Sequence, residues 1–302
     1  MPEPTIDQTA RAEVFGELHA GPAPLRLVNA WDAHTARVFA LAGAPAVATS
    51  SFAVALSRGH ADGQHLPWPT VRTTIGEIVD AAGDVPVTAD IEAGQGSSPD
   101  DVARAVTDVI EAGAVGVNIE DSMPDVPGRL FDAAAQCERL AAARASADAT
   151  PVPLYINARC DVWFGADLGS GSGSDDRLTE GLARAAAYVE AGADGVFLPG
   201  LVDAETLAKV CREIPVPINV MLWPGLPPVE ELAAIGVRRI SQGATAFLLD
   251  VGYLERMTKA FLEGPHEQAG GDVAPAFHLI GPLAQGRGDA GAADQPPGDA
   301  AP

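Results

Sequence analysis

The sequence is short of positive charge and contains no long apolar run. Lysine occurs only at Lys209 and Lys259, and 41 acidic residues outnumber 19 Lys and Arg, giving a formal net charge of −22. Nucleic acids and anionic membranes attract basic patches, so this balance argues against both as partners. No apolar stretch approaches the roughly 18 residues that a membrane span needs, and residues 1–7 lack the zones of a signal peptide. We expect a cytoplasmic protein.

Cysteine is also scarce. Cys137, Cys160 and Cys211 are odd in number, widely spaced and without a C-x-x-C pair. This argues against a disulfide framework or a zinc site and indicates buried thiols in a reducing compartment. A small anionic substrate is still compatible with the acidic chain, because a local arginine or metal ion can reverse the sign of charge inside a pocket.

Two patterns alternate along the chain. One joins a helix end, a glycine suited to the left-handed position after a helix, and a short apolar strand; it occupies residues 41–51, 111–121, 190–200 and, more loosely, 234–244. The other places proline at or near a strand start; it occupies residues 23–30, 85–90, 152–159 and 216–221. Eight βα units in about 240 residues predict an α/β fold, the (β/α)8 TIM barrel. A doubly wound open sheet is the alternative, but no glycine-rich phosphate loop favours it.

Composition divides the chain in two. We expect residues 1–265 to form the barrel, preceded by an N-terminal helix. Residues 266–302 are rich in Gly, Ala, Pro and Asp, and we expect a largely disordered tail there. The apolar run F-H-L-I at 277–280 lies inside that tail, and the sequence does not say where it docks.

The stretch V-T-A-D-I-E-A-G-Q-G at residues 87–96 is the first candidate site. Asp90 and Glu92 are two apart and share a face if the strand persists that far. Two carboxylates at the mouth of an apolar strand are costly unless a cation lies between them, and Mg²⁺ prefers such oxygen ligands. The alternative is a solvated strand end followed by a flexible loop.

The ends of other strands add polar side chains to this candidate site, since reacting groups gather there in a barrel. Glu120, from the neighbouring strand, can share a cation with Asp90 and Glu92. Arg159, one strand further, can clamp a carboxylate or phosphonate; alternatively it forms a salt bridge with Glu120. Ser50 begins a turn whose backbone N–H groups can face an anion, although such serines are usually turn residues only.

Five blocks occur in a fixed order: T-S-S-F-A (49–53), G-H-A-D-G (59–63), T-A-D-I-E-A-G-Q-G (88–96), V-N-I-E-D-S (117–122) and N-A-R-C-D (157–161). With them the chain resembles the isocitrate lyase/phosphoenolpyruvate mutase superfamily over roughly residues 10–263. The resemblance implies a (β/α)8 barrel, a Mg²⁺ or Mn²⁺ site and 2-oxo or 2-hydroxy acid chemistry. It also implies a homodimer or homotetramer in which the last barrel helix is swapped onto a neighbour.

The resemblance implies a role for each matching position. Asp90 would bind the metal directly, and three further carboxylates would reach it mostly through water: Asp62, Glu92 and Glu120. The substrate would be held by Ser50, Ser51, Phe52, Arg159 and Asn219. Arg159 and Glu120 would be the catalytic residues.

The sequence departs from the superfamily pattern at positions that limit which reactions we expect. Lyases carry a K-[KR]-C-G-H loop, but residues 121–130 contain neither cysteine nor lysine, and Pro199 replaces a histidine or glutamate. We therefore expect no isocitrate or methylisocitrate lyase activity. Our first hypothesis is a Mg²⁺-dependent lyase that makes or breaks a C–C bond in a small 2-oxo or 2-hydroxy carboxylic acid through an enolate-like intermediate. The alternatives are P–C chemistry, as in phosphoenolpyruvate mutase or phosphonopyruvate hydrolase, and a non-catalytic barrel that binds a metal and a small acid.

Overall fold

A computed structural model describes residues 6–124, 126–169, 173–264 and 276–284. Its eight strands are all parallel and close into a barrel in chain order, with β8 paired to β1. The strands are β1 (Leu25–Ala30), β2 (Val47–Thr49), β3 (Val87–Asp90), β4 (Gly116–Glu120), β5 (Tyr155–Arg159), β6 (Gly195–Phe197), β7 (Ile218–Met221) and β8 (Val237–Ser241). The predicted barrel is confirmed, and the open sheet is excluded.

Helices surround this barrel. They are α1 (Ile6–Leu18), α2 (Ala33–Leu41), α3 (Ser51–Ser57), α4 (Trp68–Ala82), α5 (Pro99–Glu111), α6 (Ala133–Asp148), α7 (Ser174–Glu190), α8 (Ala204–Glu213), α9 (Val229–Ile235), α10 (Thr245–Glu263) and α11 (Phe277–Ala284). A single 3₁₀ turn, Asp161–Trp163, follows β5. Within the described ranges, no helix combines the length and the apolar character needed to cross a membrane.

The glycine of the first repeated pattern has the predicted conformation. Gly43, Gly113, Gly192 and Gly236 all have positive φ, between 85° and 113°, just after α2, α5, α7 and α9. A side chain at such an angle is strained, so glycine lets each helix stop and the chain turn directly into the next strand. The repeat seen in the sequence is therefore the αβ turn of the barrel.

Helix α1 closes the bottom of the barrel. Phe15 lies against Gly116 of β4 so closely that an added Cβ there would sit 2.9 Å from the Phe15 ring. His19 stacks on Tyr155 of β5 with ring centroids 4.2 Å apart. Gln8 donates to the carbonyls of Ile110 and Ala114 at 2.9 and 3.1 Å. The N-terminal helix is thus part of the core.

The described part of the C-terminal tail contains one helix. Residues 277–284 form α11, which lies on α2, and the Arg37 guanidinium donates to the Pro282 carbonyl at 3.4 Å. The apolar run at 277–280 thus belongs to a helix that contacts α2. The rest of the expected tail, residues 266–275 and 285–302, lies outside the described residues.

The burial of His19 predicts how stability depends on pH. Its Nδ1 lies 2.8 Å from the Phe15 carbonyl, which can only accept, so Nδ1 carries the proton and the buried Nε2 has no partner among the described residues. Burial, with the charge of Arg239, lowers the pKa of His19 to about 3. Below the ordinary value near 6.5, the unfolded chain therefore binds a proton that the folded chain rejects.

We expect the free energy of unfolding to fall by about 1 kcal/mol from this group between pH 7 and pH 5.5. His19→Phe, which keeps a ring on Tyr155, should lose that much less over the same interval. Urea unfolding of both proteins at the two pH values measures the difference. Equal losses would show that His19 is protonated in the folded state.

Candidate active site

Asp90 ends β3 at the carboxyl end of the barrel. Its backbone N–H donates to Thr49 Oγ1 at 2.8 Å, and its Oδ2 accepts from Ser51 Oγ at 2.9 Å. The Ser51 backbone N–H also faces Oδ2, at 3.4 Å. Ser50 caps α3 by accepting from the Ala53 N–H at 3.3 Å. The turn after β2 is therefore tied to the first predicted metal ligand.

Glu92 also lies beside Asp90, but in a backbone conformation that a strand does not have. The strand ends at Asp90, so the condition for a shared strand face is not met; Glu92 instead has a left-handed backbone, with φ of 54°. Gln64 and Gln95 have similar angles, 65° and 60°. The Glu92 N–H faces Asp90 Oδ1 at 3.4 Å, and its carboxylate accepts from the Gln64 N–H. Such backbone strain costs on the order of 1–3 kcal/mol and is typical of functional sites.

Arg159 is the cation of this cluster. It contacts Asp161 through two nitrogens, Nε at 2.6 Å and Nη2 at 3.0 Å, and Glu120 through Nη1 at 2.7 Å. Its guanidinium carbon lies 5.2 and 5.9 Å from the ring centroids of Phe164 and Phe197. The Glu120–Arg159 salt bridge is therefore present, and Asp161, not Glu120, provides the two-pronged contact.

Asp161 is itself held by buried groups. Ser122 Oγ donates to its Oδ2 at 2.6 Å, and the Asp161 N–H donates to Asp121 at 2.9 Å. The Asp121 carboxylate in turn accepts from the Tyr188 hydroxyl at 2.7 Å and lies 3.3 Å from Arg184. This support fixes the carboxylate that orients Arg159.

The other predicted residues lie around this centre. Asp62 is on the exposed loop after α3, close enough to raise the pKa of Glu92. Phe52 is half-buried on α3 and packs edge-on against Phe247, with centroids 6.4 Å apart. Asn219 is buried on β7, where its Oδ1 accepts from Ser241 at 3.2 Å and its Nδ2 has no partner within the described residues.

Negative charge is in excess here. Burial, Asp62 and Asp90 together raise the pKa of Glu92 to about 7. Burial raises the pKa of Glu120 well above its usual value, although Arg159 opposes the shift. In the described part of the chain, no basic side chain forms an ion pair with Asp62, Asp90 or Glu92.

These residues fit a hard divalent cation in their chemistry. All the candidate ligands are carboxylate oxygens, and their mutual repulsion is what a bound cation relieves. Within the described ranges, however, no three His, Cys, Asp or Glu side chains are drawn together as a ready metal cluster. Glu120 pairs with Arg159, and the Glu92 carboxylate accepts from the Gln64 N–H.

A closed parallel barrel with carboxylates and an arginine at the carboxyl ends of its strands defines a (β/α)8-barrel enzyme site. The sequence model of the phosphoenolpyruvate phosphomutase family matches residues 15–262. The chain therefore belongs to that family, within the isocitrate lyase/phosphoenolpyruvate mutase superfamily of enzymes. The predicted resemblance is confirmed.

Individual relatives agree with this assignment. An uncharacterised protein of Mycobacterium tuberculosis is 36% identical over 239 residues, which cover 77% of this chain and 83% of the relative. A crystal structure from Burkholderia cenocepacia J2315, provisionally named a phosphonomutase, is 40% identical with a TM-score of 0.78 and covers 83% of this chain and 98% of its own. An oxaloacetate decarboxylase of Pseudomonas fluorescens SBW25 is 29% identical over 257 residues, covering 81% and 82%.

Two residues of the site were not singled out from the sequence. Asp161 stands at a strand end, but its contact with Arg159 depends on the 3₁₀ turn that follows β5. Arg239 lies inside the barrel below the site, and its orientation follows from the register of β8 with β7 and β1.

Asp161 predicts a measurable effect on stability. Asp161→Asn removes the charge opposite a buried guanidinium, and we expect a loss on the order of 3 kcal/mol in the free energy of unfolding. Asp148→Asn is the matched control: Asp148 pairs with Arg144 at 3.4 Å but its side chain is 65% exposed, so we expect a change below about 1 kcal/mol. Similar losses in both variants would show that Asp161 does not hold Arg159.

Proposed function

We propose that this protein is a Mg²⁺-dependent lyase that makes or breaks a C–C bond in a small 2-oxo or 2-hydroxy carboxylic acid through an enolate-like intermediate. The observation that carries the proposal is the position of Arg159 beside Glu120 and near Asp90 at the open end of the barrel. An oriented cation next to a carboxylate cluster is suited to stabilising negative charge that develops on a substrate oxygen. The similarity to an oxaloacetate decarboxylase, whose name describes C–C cleavage, supports this choice.

Each residue has a role in this proposal. Asp90 would hold Mg²⁺ directly, while Asp62, Glu92 and Glu120 would contact it mostly through water, which needs less convergence than direct binding. Mn²⁺ has similar preferences and can replace it. When bound, the ion supplies a Lewis acid that polarises a substrate carbonyl.

The substrate would be held on the opposite side of this centre. Arg159 would bind its carboxylate, as Asp161 holds the guanidinium plane in place. The backbone N–H groups of Ser51 and Phe52, in the first turn of α3, have no acceptor within that helix; that of Ser51 faces Asp90 Oδ2 at 3.4 Å and would be shared with the substrate. Asn219 would donate from its unpartnered Nδ2. Ser50 shapes this turn through its cap of α3.

P–C chemistry is the second candidate, because the matching family model is that of phosphoenolpyruvate phosphomutase. Against it, residues 121–131 contain no lysine or asparagine. This segment is closed by a bridge between Ser122 and Leu130, and Pro199 lies after β6. A barrel that binds the ion and an acid without turnover is the third candidate.

A homo-oligomer is part of the proposal. Helix α10 has 19 residues, of which only Phe247 is buried. Large apolar side chains along it are 47–73% exposed: Leu248, Leu249, Val251, Tyr253, Leu254, Phe261 and Leu262. A surface of this kind is typical of a protein–protein interface, and a neighbouring copy that packs against α10, as in a dimer or tetramer with swapped helices, would cover it.

The proposed metal site predicts that Mg²⁺ stabilises the parent protein but not a variant that lacks the Asp90 carboxylate. A ligand bound to the folded state raises stability, so Mg²⁺ should raise the melting temperature of the parent, and Asp90→Ala should abolish the rise. Asp100→Ala, which removes an exposed aspartate in the first turn of α5, should leave it unchanged. Equal stabilisation of all three proteins would contradict the site.

The same proteins decide between the candidate reactions. Parent protein is incubated with oxaloacetate, other 2-oxo and 2-hydroxy diacids, or phosphonopyruvate, with Mg²⁺ or with EDTA. We expect turnover of a diacid that EDTA and Asp90→Ala remove. Turnover of phosphonopyruvate alone would favour P–C chemistry, and metal and acid binding without turnover would favour the binding barrel.

The positions of the three cysteines predict that no thiol takes part in the reaction. Cys137 lies on α6, Cys160 is fully buried, and Cys211 lies on α8; burial raises the pKa of all three thiols, that of Cys211 to about 11. Thiols whose pKa is raised are poor acids and nucleophiles at neutral pH. We expect no cleavage of isocitrate or methylisocitrate, and full activity after treatment with N-ethylmaleimide. Inactivation from which substrate protects would place a thiol in the site.

A further inference from the structure

Arg239 is a charged residue in the interior of the barrel. It is 1% exposed, and its register with Asn219 on β7 and Leu25 on β1 places it on the inner face of β8. Its Nε donates to Ser241 at 3.2 Å and its Nη2 to Asn118 Oδ1 at 3.3 Å. Its Nη1 has no partner among the described residues, and no carboxylate there lies within 4 Å of the guanidinium.

An arginine in this position is costly. Moving a guanidinium out of water without an ion-pair partner opposes folding, and neutral hydrogen-bond acceptors return only part of the loss. Burial lowers the pKa of Arg239 to about 10, so the side chain is still a cation at neutral pH. A structural role alone is served as well by an apolar residue, which is what barrel interiors usually contain.

The charge of Arg239 lies directly below the candidate site. Asn118, which accepts from its Nη2, is the register partner of Asp90 on the adjacent strand. The Asp90 carboxylate attracts the guanidinium. Because both groups are shielded from solvent, their interaction is screened less than that of a surface pair.

We propose that Arg239 is a built-in counter-charge for the acidic cluster, which we define as Asp62, Asp90, Glu92 and Glu120. It stabilises these carboxylates when no cation is bound, and it repels a divalent cation that binds among them. Arg239 thereby sets the affinity for the ion without touching it. This inference rests on the proposed Mg²⁺ site.

Both side chains that accept from the guanidinium are held by further hydrogen bonds. Asn157 Nδ2 donates to Asn118 Oδ1 at 2.9 Å, and Ser241 Oγ donates to Asn219 Oδ1 at 3.2 Å. The chain from Asn157 to Asn219 thus spans β4, β5, β7 and β8. Two substitutions of Arg239 separate the effect of its charge from the effect of these hydrogen bonds. Lysine keeps the positive charge, whereas glutamine keeps much of the hydrogen bonding.

The test measures Mg²⁺ and Mn²⁺ binding by calorimetry, and melting temperature in EDTA and in Mg²⁺, for the parent and four variants. Removing a unit charge several Å from a divalent ion changes affinity by about tenfold even at the dielectric constant of bulk water, about 80, and by more at a lower one. Arg239→Met and Arg239→Gln should therefore bind Mg²⁺ at least about tenfold more tightly, melt lower in EDTA, and gain more from Mg²⁺ than the parent does. Arg239→Lys should stay within about twofold of the parent, because the charge is retained.

Arg144→Met is the matched control. It makes the same change in net charge, but Arg144 lies on α6 at the opposite end of the strands, where it contacts Asp194 and the Leu154 carbonyl. Its Mg²⁺ affinity should equal that of the parent.

Suppose that the parent binds Mg²⁺ but that folded Arg239→Met or Arg239→Gln binds it no more tightly. That result would overturn the proposed role of Arg239 and leave the metal site standing. If Arg239→Met does not fold, Arg239→Gln decides the same question. A parent that binds neither Mg²⁺ nor Mn²⁺ would overturn the metal site and, with it, this inference.

Discussion

Repulsion between carboxylates at the carboxyl end of the barrel is the constraint on which the site depends. The Glu92 backbone N–H faces Asp90 Oδ1 at 3.4 Å, and Glu120 lies on the next strand. One guanidinium, Arg159, balances the cluster from the side, and its own position depends on Asp161 and the buried groups behind it. The site is therefore a balance of fixed charges, in which burial and the neighbouring Asp62 and Asp90 raise the pKa of Glu92.

Much of this arrangement follows from local rules that a sequence displays. Strand ends, helix ends and their glycines recur at regular spacing, and a parallel barrel places all strand ends with polar residues at one rim. Asp90, Glu120 and Arg159 stand at the ends of β3, β4 and β5, as the strand pattern predicts. Glu92 lies beyond the end of β3, where the chain has already turned into a left-handed conformation.

What the sequence did not reveal depends on contacts between distant segments. The hold of Asp161 on Arg159 requires the turn after β5, and the docking of α11 on α2 joins Arg37 to a carbonyl 245 residues away. Arg239 was overlooked because the pair Arg238-Arg239 looks like a solvated strand edge; only the register with β7 and β1 shows which of the two faces inward. Side-chain partners across a barrel are set by closure of the whole sheet, which no local window contains.

The left-handed backbone at position 92 has a consequence for the lineage of this protein. Glycine adopts such a conformation without strain, so a descendant released from selection for binding at this rim would be free to drift to glycine there at little cost in stability. A descendant that still uses the carboxylate cannot make that exchange. Under the proposed role of Glu92, glycine at this position would therefore mark a copy that kept only the barrel.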